Sequence, residues 1–255
     1  MQCIFLSHDV DWRCEGPPKK HLFNRKDRFD SEIIDSLNEK NPYYNFPEYM
    51  EIEESLNVKS TFFFRTIYEN GNYLDYESEI SELIKGGWEI GLHLDPTSVN
   101  DFAKIKSEKI SLEKLTKQKI IGNRVHFLKY NEELTTKLRE LEFVYDSSIR
   151  NSKDKIDEKE MGFMKKNGIF EFPITWMDAY LFTYMKIKED GLVPLFKKTL
   201  NFSRKLGKDN VLTLLWHDNV LKMKGGRKYK EILEFLVSQD DVVILPGRDI
   251  INILK

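Results

Sequence analysis

A chain of 255 residues, 40% of them hydrophobic and 32% charged, can bury a sizeable core, and a formal charge of -2 excludes the basic excess of a nucleic-acid binder. The length suits a single α/β barrel domain over residues 1–255. Only two cysteines are present: Cys3 belongs to an apolar run and Cys14 to a polar stretch without ligand-like spacing, so no disulfide framework is expected.

Taken in chain order, short runs rich in β-branched and aromatic residues predict buried strands at 3–6, 60–64, 88–92, 124–127, 143–145, 169–172, 211–216 and 242–245. Helical periodicity falls between most of them, at 47–56, 76–85, 107–118, 132–141, 193–206 and 228–237. A βαβα alternation predicts a mostly parallel sheet. Gly and Pro punctuate it, as in "KGGWEI" and "RKLGKDNVL", in the manner of helix stops rather than of an interdomain linker. Two stretches break the pattern, 13–44 and 150–167, and are expected to be solvated loop insertions near the barrel mouth. The N-terminus enters its first strand without a basic leader, and no stretch approaches the ~18 apolar residues of a membrane span, so the expectation is a cytoplasmic chain without a membrane partner.

In parallel α/β architectures the chemistry gathers at the carboxyl ends of strands. The polar residues that follow the apolar runs are His8, Asp9 and Asp11 in "FLSHDVDW", His93 and Asp95 in "IGLHLDPTS", and Arg124 and His126 in "GNRVHFLKY". Asp146 follows in "VYDSS", then His217 and Asp218 in "LLWHDN". Four of the five histidines sit at such ends; His21 alone lies in a loop. Taken singly, each has a bland reading as a hydrogen-bonded structural residue or a cap. Two Asp at one strand end with His at three others favour a mononuclear metal or acid/base site. Strand alternation turns His8 away from Asp9 and Asp11, which gives it a structural role.

The ordered set "SHDVDW", "EIGLHLDPTS", "GNRVHFLKY", "YDSS" and "LLWHDN" resembles the NodB-homology polysaccharide deacetylases, a carbohydrate esterase group with a distorted (β/α) barrel. It is most similar to a divergent branch with HPSY-like, R-x-H-[YF]-L and LWH-N stretches. The likeness runs from residue 1 to about residue 220. It implies Asp9 as catalytic base, Asp11 as metal ligand, His93 as the first His of the family's H-x-x-x-H metal motif, Arg124 as the group that orients the base, and His217 as general acid. Asp146 lies near the place of the carboxylate that supports this His, and Asp178 in "FPITWMD" is a second candidate. Where the family carries its second metal His the chain has Thr97, a poor Zn²⁺ ligand. His126 and Asp95 are the candidates to complete the site, with His126 preferred.

The resemblance implies a divalent metal, Zn²⁺ by ligand type with Co²⁺, Ni²⁺ or Fe²⁺ equally compatible, and hydrolysis of an N-acetyl group on a carbohydrate or sugar-derived substrate. Two other readings stand beside it: a small-molecule metal-dependent amidohydrolase, and a non-catalytic carbohydrate-binding relative that has lost the metal. Thr97 speaks for the last. Asp9, Asp11, Arg124 and His217 speak against it, since a binding module needs no acid and base facing one centre.

Overall fold

The computed structural model describes residues 1–37, 40–69, 71–206 and 210–254. Ten strands are assigned among them: β1 Gln2–Val10, β2 Thr61–Phe64, β3 Glu89–Leu94, β4 Gly122–Val125, β5 Tyr145–Asp146, β6 Met164–Lys166, β7 Ile169–Glu171, β8 Ile174–Met177, β9 Asn210–Leu215 and β10 Val242–Leu245. They form one sheet in the order β6-β7-β5-β4-β3-β2-β1-β9-β8, with β10 paired to the start of β1. All pairings are parallel except β6 with β7. The sheet curls into a half-barrel with helices outside, because strand–helix–strand crossovers cover the outer face of a parallel sheet.

Every residue of β1 is buried, so its two faces meet two different layers. Ile4, Leu6 and Val10 join the large cluster under the helices, with Leu83, Leu112 and Phe196. Cys3 and Phe5 point inward to a smaller cluster with Phe63, Tyr145 and Phe172. A side chain on Gly91 would collide with the Phe63 ring and one on Gly122 with Tyr145, so these glycines make room for the aromatic filling of the barrel. Above Phe5, the inward column of β1 changes to Ser7 and Asp9 and then, just past the strand, Asp11. The barrel is greasy at the bottom and charged at its carboxyl rim.

The differences from the sequence reading have local causes. The strand expected at 124–127 ends at Val125, because Phe127 and Leu128 adopt left-handed backbone with φ of 59° and 53°. The helix expected from 107 starts at Phe102, where the Asp101 carboxylate accepts the N–H groups of Ala103 and Lys104. The helix expected from 193 starts at Glu189 and runs through Pro194, losing one backbone hydrogen bond while Leu192, Phe196 and Leu200 stay buried. The expected helix stop at Gly207 lies outside the described residues. β8, next to Pro173, was not expected.

Neither unpatterned stretch is simply solvated. The first, 13–44, folds short helices at Lys19–Phe23 and Ser31–Asp35 and has its own core of Leu22, Phe29, Leu37 and Tyr43 on Met223. In the second, Arg150 donates to the carbonyls of Ile174 and Thr175, and Glu160 is buried, so the segment braces β8. Among the described residues no helix is long and apolar enough to cross a membrane.

Candidate metal centre and active site

Parallel pairing sets the polar strand ends side by side. His93 is in register with Arg124, Asp9 with Phe63 and Ser7 with Leu215, so β1, β3, β4 and β9 deliver their last inward residues to one rim. There Asp11 Oδ1 lies 3.2 Å from His93 Nε2 and 3.2 Å from His126 Nδ1, and the two ring nitrogens are 3.1 Å apart. His93 Nδ1 lies 3.0 Å from the Arg124 carbonyl, to which it can only donate, so Nε2 is the nitrogen that faces the cluster. Three ligand atoms with edges of this length suit a tetrahedral ion, whose bonds of ~2.0–2.1 Å imply ligand separations of roughly 3.3 Å. The donor set therefore fits a divalent metal.

Asp9 lies beside this cluster, its Oδ2 3.7 Å from His93 Nε2. Its Oδ1 accepts from Arg124 Nη1 at 2.8 Å, and the fully buried guanidinium also donates to Ser7 Oγ, the Ser147 carbonyl and Ser147 Oγ. Burial alone would raise the Asp9 pKa, but Arg124 and then His93 and His217 hold it below the ordinary carboxylate value. Burial likewise opposes ionisation of Asp11, and hydrogen bonds from His126 and His93 outweigh it, so Asp11 stays well below the usual range.

His217 completes the rim from the end of β9. Its Nδ1 lies 2.7 Å from Asp178 Oδ1, and its backbone N–H donates to Asp178 Oδ2 at 2.6 Å. Its Nε2 looks toward Asp11 Oδ2 at 3.6 Å. Burial disfavours the imidazolium, yet the Asp178 charge and hydrogen bond, with Asp11 and Asp9 behind them, raise its pKa from 6.5 to about 10. At neutral pH His217 is a cation with a proton to give.

The expectation that Asp146 supports His217 does not match the geometry. Asp146 is in register with Asn123 and Glu171, accepts from Asn123 Nδ2 and Ser148 Oγ, and Ser148 in turn accepts the Val125 N–H. Burial, then the Asp146 charge, pushes the neighbouring Glu171 well above the ordinary carboxylate value. Asp178, delivered by the unexpected strand β8, meets His217 instead.

Asp95 is also elsewhere: it accepts from Arg65 and from the Thr97 hydroxyl and N–H, so neither Asp95 nor Thr97 joins the three-atom cluster. His8 faces the helices, as alternation requires, and meets the Trp216 carbonyl, Glu53 and Tyr229. Ser7 and Ser147, which orient Arg124, escaped the sequence reading; for Ser7 the signal was its place on the inward column two residues before Asp9.

No protein-family profile matches the sequence, and no curated protein does. Solved structures do match. A Mycobacterium smegmatis protein classed as a polysaccharide deacetylase superimposes with a TM-score of 0.70 at 18% identity, over 98% of this chain and 89% of that one. The fold is that of the polysaccharide deacetylases. A CE4 family pseudoenzyme from Bacillus anthracis gives 0.54 at 11% identity, covering 97% of this chain and 64% of its own. A 4-alpha-glucanotransferase from Thermococcus litoralis gives 0.59 at 18% identity, over 99% of this chain and 40% of its own. The same fold thus occurs in proteins named for different activities, so activity turns on the rim residues rather than on the fold.

Proposed function

We propose that this chain is a metal-dependent hydrolase that removes an N-acetyl or related acyl group from a sugar or sugar-containing metabolite. The observation that carries this reading is the convergence of Asp11 Oδ1, His93 Nε2 and His126 Nδ1, with the Asp9–Arg124 and His217–Asp178 pairs beside them. Asp11, His93 and His126 would hold the ion. When bound, it supplies Lewis acidity for the acyl carbonyl and lowers the pKa of water.

The chain's own groups account for the proton traffic. Asp9, kept ionised and aimed by Arg124, takes a proton as water adds its oxygen to the acyl carbon. Nδ1 of His217 is committed to Asp178, so the proton on Nε2 is the one available to the nitrogen as the C–N bond breaks. Acetate and a free amine result.

The test is metal content per chain by elemental analysis of the wild type and of Asp11→Ala, His93→Ala and His126→Ala, followed by assay of released acetate from N-acetyl sugars. Near-stoichiometric metal, lost in each variant, with acetate release by the wild type, is the expected outcome. A wild type that takes up neither Zn²⁺ nor Co²⁺ would sink the proposal and leave the non-catalytic binding reading.

A further inference from the structure

Two cavities flank Asp11, of about 480 and 570 Å³, within the size range of small-molecule sites. Asp11, Trp12, His21 and Arg25 line both, so segment 13–44 forms a strap across the mouth. The first cavity is lined by Asp178 and His217 from the rim, and also by Arg25, Arg28 and Lys224. Several other arginines meet carboxylates, as Arg65, Arg124, Arg204 and Arg227 do, and the half-buried Arg150 is spent on backbone carbonyls. Among the described residues, Arg25 donates only to the uncharged His21 Nδ1 and Arg28 meets no carboxylate within ion-pair distance. Asp27 also lines this cavity, as its one acidic residue outside the Asp11 and Asp178 pairings.

Two guanidiniums three residues apart, neither of them in an ion pair, repel each other wherever the chain fixes them. Here the chain fixes the backbone that carries them, with Arg25 half-buried and Arg28 exposed: Leu22, Phe29 and Tyr43 anchor the strap on Met223, and His21 packs edge-on against Trp12 with ring centroids 4.4 Å apart. Their field reaches His21, whose imidazolium is disfavoured first by burial and then by Arg25 and Arg28. Nothing in the acyl-transfer chemistry needs this strap, since the metal ligands, base and acid are complete without it.

We propose that the substrate is an anionic acylated sugar, bearing a phosphate or a carboxylate, and that Arg25 and Arg28 bind this group while the acyl amide lies at the metal rim. The planar forks of arginine match both anions bidentately, and Lys224 adds a third positive charge. This rests on the hydrolase reading for the acyl group but not for the anion.

The test is isothermal titration calorimetry of the whole chain with N-acetylglucosamine 1-phosphate, N-acetylmuramic acid and neutral N-acetylglucosamine, with acetate release measured in parallel. The wild type should bind a charged sugar at least tenfold more tightly than the neutral one, with a preference that shrinks as salt rises. The double variant Arg25→Gln/Arg28→Gln should lose that preference, and Lys104→Gln, a surface cation outside both cavities, should keep it. Which charged sugar wins tells phosphate from carboxylate. Equal affinity for charged and neutral sugars, or a preference that survives the double variant, overturns the inference even if acetate is released. A charge preference without acetate release supports it and counts instead against the hydrolase reading.

Discussion

Two buried histidine–carboxylate pairs sit one layer apart in this molecule, and they differ in what their atoms have left to do. His8 is wholly enclosed: one ring nitrogen meets the Trp216 carbonyl, the other meets Glu53 and Tyr229. Glu53 in turn accepts from Ser60, Trp88 and Tyr229, and Tyr49 and Phe62 pack around the imidazole. His217 spends one nitrogen on Asp178 and turns the other toward Asp11 and an open cavity, with 11% of its side chain exposed. A saturated pair holds helices to the sheet. A pair with one uncommitted nitrogen at a cavity can move a proton.

The largest effect on rate should come from His217→Ala, with acetate release falling ~10²–10⁴-fold while the melting temperature stays within a few degrees of the wild type. Collapse of the fold instead would make the two pairs alike and erase the contrast. Glu53→Ala should do the reverse. It strands four polar partners in the core and should cost about 3–5 kcal/mol in chemical denaturation, while activity per folded molecule stays within a factor of two or three.

Asp178→Asn sharpens the comparison through pH. Because His217 is raised from 6.5 to about 10, the pair's contribution to stability is complete below pH 6.5 and drains away as pH rises through 10. In the proposed mechanism the same proton is the one given to the leaving nitrogen, so the alkaline limb of kcat/KM should move down by at least one pH unit in the variant, and the stability difference from wild type should narrow toward pH 10. An unmoved limb would mean that another group is titrating. The smallest effect is expected from Asp146→Asn, about 1 kcal/mol in stability and no change in the pH profile, since its carboxylate serves Asn123 and Ser148 and not His217.

The strand ends of the candidate site were legible because chemistry in a parallel barrel follows directly on apolar runs. Asp9, Asp11, His93, Arg124, His126 and His217 all stand at such places, and the two-residue period already separated His8 from Asp9. The choice between Asp146 and Asp178 was not legible in the same way. Both follow short apolar stretches, and only the pairing of β9 with β8, a strand that the local pattern did not announce, sets Asp178 against His217. The strap was read as a loop for a similar reason: its few apolar residues are too scattered to show a period and find their core only against Met223, some two hundred positions away.

The sequence by itself determined the alternation of strands and helices, the greasy-to-charged column of β1 and the supply of acids, bases and ligands at the rim, because these depend on local periodicity and residue chemistry. The tertiary structure decided which of them touch: that His126, not Thr97 or Asp95, closes the three-atom cluster, that Asp178 holds His217, and that Arg25 and Arg28 face the same cavity. Contacts between residues far apart in the chain follow from strand order and register, which no single segment encodes.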